Sequence, residues 1–207
     1  WVSVNFSPAS VVDGAAAGVV LTTQPAVGFS DAENNLVTDG QYSSSNITVS
    51  ISSGATLSGT TTIPAVNGAA FFSDLAISGP AGTYTLTFTA PGTSFTAVTQ
   101  SITLGYGLPD HLGISTQPVG GNATGTALTT QPVIQVYDAW NNPVSNATNT
   151  ITATIASGDG NATISAGATK AAVGGVATFS GLALIATPLS PYTLTFSATG
   201  LTSVTSN

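Results

Sequence analysis

Apolar and polar residues alternate with a period of two along most of this chain, in short runs broken by Gly, Pro, Asn and Ser. Trp1-Val-Ser-Val-Asn-Phe6 opens in this way and predicts a strand closed by Pro8. Residues 11–18 are small and read as a loop, and residues 19–30 read as strand again. Asn46-Ile-Thr-Val-Ser-Ile51 and Thr150-Ile-Thr-Ala-Thr-Ile155 turn Ile47, Val49, Ile51, Ile151 and Ile155 inward. Tyr84-Thr-Leu-Thr-Phe88 and Tyr192-Thr-Leu-Thr-Phe196 are the cleanest alternating strands. Phe72 and Phe179 are the expected core anchors. Apolar residues nowhere recur at helical spacing over a useful length, so the pattern predicts an all-β chain.

The pattern occurs twice. Leu21-Thr-Thr-Gln-Pro-Ala-Val-Gly-Phe-Ser-Asp-Ala-Glu-Asn-Asn-Leu-Val37 returns as Leu128-Thr-Thr-Gln-Pro-Val-Ile-Gln-Val-Tyr-Asp-Ala-Trp-Asn-Asn-Pro-Val144, about 107 residues later. The inward pairs are Val27/Phe29 and Ile134/Val136. Asp31-Ala-Glu-Asn-Asn35 and Asp138-Ala-Trp-Asn-Asn142 read as hairpin turns, because Asn and Asp tolerate left-handed backbone and close turns through their side chains. Pro25 and Pro132 cannot donate to a ladder and are expected at an edge or a change of sheet. The Thr-rich segments after Gly54 and Gly158 are expected as edge strands. The expected domains are residues 1–107 and 108–207, joined by a short linker at residues 105–110, which implies an in-line pair. About seven short strands per copy at regular spacing predict two tandem Greek-key β-sandwiches.

Composition narrows the function. Charged residues make up 4% of the chain, against about 25% in ordinary soluble domains. With one Lys or Arg in total and a net charge of −7, the chain has no cations to displace counterions from phosphates, so nucleic acid and anionic membrane surfaces are not expected partners. No apolar run approaches a membrane span, so no membrane insertion is expected. The chain has no Cys and no Met, which leaves packing to supply stability and removes the most oxidisable side chains, as suits life outside a cell.

The repeated unit resembles the bacterial immunoglobulin-like repeats of the invasin and intimin type. Leu112-Gly-Ile-Ser-Thr-Gln-Pro118, Gln131-Pro-Val-Ile-Gln-Val-Tyr-Asp138, Asn142-Pro-Val144, Gly175-Val-Ala-Thr-Phe-Ser-Gly-Leu182 and Tyr192-Thr-Leu-Thr-Phe196 carry the resemblance, while copy one departs at its start with Asn5-Phe-Ser-Pro8. The resemblance implies tandem immunoglobulin-like domains on large surface proteins of prokaryotes, acting as stalks, spacers or adhesive tips, with no enzyme activity. Tyr84 and Tyr192 fit the tyrosine corner of such sandwiches.

Candidate chemistry is sparse. His111 is the only His, no Cys exists, and a nucleophile needs a base and a group to orient that base, so no catalytic residue is expected. Asp31 and Glu33 could ligate calcium, but copy two carries Asp138 and Trp140 there, so turn chemistry is the better reading; no metal or cofactor is expected. Tyr137 and Trp140, beside two Asn, are candidates for partner contact. Lys170 would have to be buried to form an isopeptide bond to Asn or Asp, and Ile63 at the matching position weakly favours an inward site. Asn5, Asn46, Asn122, Asn146 and Asn161 each begin an Asn-x-Ser/Thr sequon and are candidate glycosylation sites.

The expected function is therefore a non-enzymatic, extracellular, cell-surface module, a rigid two-domain segment of an adhesin stalk, surface layer or filament. The alternative is a carbohydrate- or receptor-binding module acting through loops at one end of a sandwich. Expected partners are neighbouring copies or further repeats end to end, and a glycan or host surface. Copy two ends at Leu201-Thr-Ser-Val-Thr-Ser-Asn207 with nothing to match Ile102-Thr-Leu104, so its final strand is expected to be incomplete, with an open sheet edge. Two readings cover that edge: the natural chain continues, or another subunit adds a strand, with Trp1, Val2, Val4 and Phe6 as the candidate donor segment.

Overall fold

The computed structural model describes residues 3–6, 15–31, 33–120, 124–158, 160–187 and 190–207, with 3–6 given as backbone. Among these, every regular element is a β-strand. The chain divides into two compact units, Trp1–Gly107 and Leu108–Asn207.

Unit 1 contains β1 (Ser3–Phe6), β2 (Ala15–Ala16), β3 (Ala26–Ser30), β4 (Asn46–Ile51), β5 (Thr56–Ser58), β6 (Thr62–Pro64), β7 (Ala69–Phe71), β8 (Ala76–Ser78), β9 (Gly82–Thr89) and β10 (Val98–Gly105). One sheet has the order β1-β3-β7, the facing sheet β2-β10-β9-β4-β6, and β5 pairs β8. The first strands thus alternate between sheets and the last two, β9 and β10, pair as a hairpin, as in an immunoglobulin-like sandwich. The short β2 joins β10 in parallel.

Unit 2 repeats the plan with β11 (Pro109–Thr116), β12 (Val133–Asp138), β13 (Thr150–Ser157), β14 (Thr163–Ala166), β15 (Thr169–Ala171), β16 (Val176–Thr178), β17 (Ala183–Ile185), β18 (Thr193–Ser197) and β19 (Val204–Thr205). Its sheets run β11-β12-β16 and β15-β13-β18-β19, with β14 paired to β17.

The period-two pattern resolves into two cores. Val27, Phe29, Ile47, Val49, Leu86, Phe88 and Ile102 are buried in unit 1, and Ile134, Val136, Ile151, Leu194 and Phe196 in unit 2. Phe72 packs against Phe88 with ring centroids 5.9 Å apart, and Phe179 against Phe196 at 5.4 Å. Ile51 and Ile155 are half-buried, because each strand runs out of the core at its end.

One expectation needs correction. Residues 19–25 are not a continuous strand: regular pairing starts at Ala26, and before it Val20 makes only an isolated bridge to Ala76. Pro25 and Pro132 stand, as expected, where the chain changes sheet: before them Val20 bridges Ala76 in the β5-β8 pair and Ala127 bridges Ala183 in the β14-β17 pair, and each proline directly precedes the central strand of a three-stranded sheet. The prolines' missing N–H groups fall outside the ladders there, and their carbonyls accept from Phe72 N at 3.1 Å and Phe179 N at 3.0 Å.

The hairpins before β7 and β16 have left-handed backbone at both turn residues, Asn67 (φ 50°) and Gly68 (φ 81°), then Gly174 (φ 60°) and Gly175 (φ 79°). Such two-residue turns match the strand twist. A Cβ at Gly68 would run into the Val37 carbonyl and one at Gly175 into that of Val144, so both second positions require glycine.

Candidate functional site

The polar side chains are engaged chiefly with the backbone. Asp31 Oδ1 accepts from the Glu33 and Asn35 amides at 3.0 and 2.8 Å, and its Oδ2 accepts from Asn35 Nδ2 at 3.1 Å. Asp138 does the same with Trp140 N at 2.9 Å, Asn142 N at 2.8 Å and Asn142 Nδ2 at 2.8 Å. The left-handed Asn34 (φ 65°) and Asn141 (φ 62°) complete the turns. Hydrogen bonds from the backbone and side chain of Asn35 hold the Asp31 carboxyl below the usual carboxylate range. Asp74 is held low in the same way, accepting from Thr60 N and Thr60 Oγ1 at 2.9 and 2.7 Å.

Gln24 and Gln131 have a role that alternation does not reveal. Gln24 Nε2 donates to the carbonyls of Leu21 and Leu75 at 2.9 and 3.0 Å, while Leu75 N donates to its Oε1 at 3.0 Å. Gln131 repeats this with Leu128 and Leu182, at 3.1, 3.1 and 2.8 Å. One amide thus replaces a short ladder where Pro follows and regular pairing has not begun. The available signal was the repetition of Thr-Thr-Gln-Pro itself. Tyr84 Oη donates to Pro80 O at 2.8 Å, and Tyr192 Oη accepts from Thr187 N at 3.0 Å, so both tyrosines bond to backbone shortly upstream.

The candidate contact residues separate. Tyr137 lies on the outer face of β12, over Gly113, where a Cβ would come within 2.6 Å of its ring, and stacks on His111 at 5.5 Å. Trp140 is half-buried in the turn. His111 Nδ1 lies 3.0 Å from Asp110 Oδ2 and Nε2 lies 3.1 Å from Asn141 Oδ1. Both ring nitrogens therefore lie against polar side chains of the framework.

Lys170 is half-buried on β15, paired with Ile151. Asn46, Asn146 and Asn161 are exposed; Asn5 is described as backbone in β1, and Asn122 lies outside the described residues. No group of three or more His, Cys, Asp or Glu comes together among the described residues.

The donor-segment reading is corrected. Ser3–Phe6 pairs antiparallel with Ala26–Ser30 of its own unit, Val4 opposite Phe29 and Phe6 opposite Val27. The β3 backbone captures this segment because β3 is the centre of a three-stranded sheet and needs a neighbour on each side. Trp1 and Val2 lie outside the described residues.

A cleft of about 240 Å³ opens in unit 2, lined by residues that include Pro118, Leu128, Leu184, Tyr192, Leu194 and Ser206.

No protein-family model and no curated protein matches the chain. Solved structures do. The FdeC adhesin of Escherichia coli aligns over 100% of this chain and 63% of its own, at 16% identity and a TM-score of 0.44. Invasin, a bacterial integrin-binding protein, aligns over 100% of this chain and 39% of its own, at 17% identity and a TM-score of 0.38. Domains 5–6 of the S-layer protein SbsC align over 100% and 97%, at 18% identity and a TM-score of 0.35. The chain spans less than two-thirds of the first structures it matches, down to 24% of a Parabacteroides merdae β-glucuronidase at 10% identity and a TM-score of 0.33. The resemblance to the invasin and intimin type is one of all-β, immunoglobulin-like fold. Fold likeness at this level transfers no ligand and no activity.

Proposed function

We propose that the chain is a non-enzymatic, extracellular structural module, a rigid two-domain segment of a cell-surface stalk, surface layer or filament that contacts further copies or repeats end to end. The observation that supports this best is the repeated use of polar side chains as clasps. The Asp turn and the Gln clamp recur at matching positions in both units with the same backbone partners. Side chains whose hydrogen-bonding atoms are bound to their own backbone have little capacity left for substrate. The scarcity of charge adds to this, since the chain has one Lys or Arg to steer a ligand with.

A binding module for a carbohydrate or receptor is the second reading. One observation favours it: unit 2 carries the stacked His111–Tyr137 pair where unit 1 has Ser3 opposite Ser30. Antibody labelling of intact cells tests the first reading. Labelling before lysis is the expected result, and labelling only after lysis contradicts it. Glycan-array and host-cell binding that is lost in Tyr137→Ala would favour the second.

A further inference from the structure

The chain has no Cys and no Met to oxidise, and a covalent change still open to it is attack by its own backbone on Asp and Asn. The most susceptible pair is Asp or Asn followed by Gly. The next residue's amide nitrogen attacks the side-chain carbonyl carbon, and glycine has no Cβ to obstruct it. Asp39–Gly40 and Asn67–Gly68 are two such pairs, and both lie wholly within the described residues. The fold treats them differently. Gly68 is buried in its two-residue turn, its N donates to Ser43 O at 2.9 Å, and its O accepts from Phe29 N at 2.8 Å. The attacking nitrogen of that pair is therefore engaged. Gly40 is exposed in left-handed backbone (φ 86°), and a Cβ built on it meets nothing within 4 Å. Among the described residues its N–H meets no acceptor and the exposed Asp39 carboxylate meets no donor. Asp31, Asp74 and Asp138, by contrast, each accept two or more hydrogen bonds that hold the carboxylate in place.

We propose that Asp39–Gly40 is a site of spontaneous backbone isomerisation in the folded chain, and that the fold withholds the same chemistry from Asn67–Gly68. Gly40 N attacks Asp39 Cγ. The new C–N bond closes a five-membered succinimide, and the carboxyl hydroxyl leaves with the amide proton as water. Water then opens either carbonyl of the ring. One opening restores Asp; the other gives isoaspartate, whose backbone runs through the side chain and is one methylene longer. At Asn67 the same closure expels ammonia. Neither reaction draws on an oxidant, a metal or an enzyme. The two pairs are also coupled. Gly40 O accepts from Ser43 N at 3.3 Å and from Ser43 Oγ at 3.0 Å, and Ser43 O is the acceptor that engages Gly68 N. Lengthening the backbone at Asp39 displaces this turn and with it the bond that shields Asn67. Isomerisation at Asp39 therefore comes first and opens Asn67 to deamidation by local loosening of the loop. The inference stands apart from where the protein resides, so its failure would leave the structural-module reading intact.

The test incubates the full chain folded and warm, beside the same chain unfolded in guanidinium chloride and a folded Asp39→Glu variant. A glutamate would have to close a six-membered ring, which forms far more slowly. Peptides spanning positions 39 and 67 are read by fragmentation mass spectrometry that separates aspartate from isoaspartate and detects deamidation. Asp13–Gly14 and Asp159–Gly160 carry the same pair and include residues outside the described ones, so each peptide is scored by itself. In the folded chain isoaspartate should accumulate at position 39 ahead of deamidation at Asn67. Unfolding should reverse that order, and Asp39→Glu should slow deamidation at Asn67. Absence of isoaspartate at position 39 in the folded chain would overturn the proposal. So would Asn67 deamidating as fast folded as unfolded, or at a rate indifferent to Asp39→Glu.

Discussion

In unit 1 the Asp31 carboxylate gathers the Glu33 and Asn35 amides in solvent, with Asn35 and Leu36 exposed. In unit 2 the Asp138 carboxylate gathers the Trp140 and Asn142 amides with Asp138 at 0% and Asn142 at 6% exposure. The bonds agree to about 0.3 Å, and the surroundings differ. Val144 is fully buried where Val37 is half-buried, and the Tyr137–His111 pair stands at the register position that Ser30 and Ser3 hold in unit 1. The same turn chemistry therefore carries different weights. In solvent, water replaces a lost carboxylate; in the interior its donors stay unpaired, at about 1–3 kcal/mol for each buried group.

Substitutions made in pairs, one per unit, probe this comparison. The largest effects should come from positions where the units agree: Phe72→Ala and Phe179→Ala should each cost about 3–5 kcal/mol in urea unfolding, the range for a buried Phe. A loss below about 1 kcal/mol at either would contradict its place in the core. Next come Gln24→Ala and Gln131→Ala. Each removes a three-bond clamp on half-buried backbone and should cost about 1–3 kcal/mol, nearly equally in the two units. Unequal losses would show that the clamps are not equivalent.

Smaller is the response to acid. Asp31 and Asp74 have folded-state pKa values below their unfolded ones, so the stability they add is present above the unfolded value and lost as pH falls through the folded value. Asp74 is exposed and Asp31 only half-buried, so thermal melts in the acid range should show a shallow decline that flattens in Asp74→Asn. A decline unaffected by that substitution would assign it elsewhere. Smallest is the response to salt: with 4% charged residues there is little to screen, and the melting temperature should barely move between low and moderate ionic strength.

Much of the fold was legible because a sandwich writes itself as period-two alternation, which placed Phe72, Phe179, Val27 and Ile134 inside. The repeat of Asp-Ala-x-Asn-Asn announced the turns. Gln24 and Gln131 escaped because an amide replacing a ladder leaves no periodic trace, and residues 19–25 looked like strand for the same reason. The partner of residues 3–6 could not be read, because alternation shows which face a strand buries and not which neighbour it pairs with.

The account holds that the polar residues of this chain are framework and that burial sets their weight. Urea unfolding of Asp31→Ala and Asp138→Ala in the full chain tests it most directly. Asp138→Ala leaves the Trp140 amide, the Asn142 amide and Asn142 Nδ2 without their acceptor and should cost about 2–4 kcal/mol, confined to the unit 2 transition. Asp31→Ala should produce a far smaller loss in unit 1. Equal losses, or a unit 2 transition indifferent to Asp138→Ala, would contradict it.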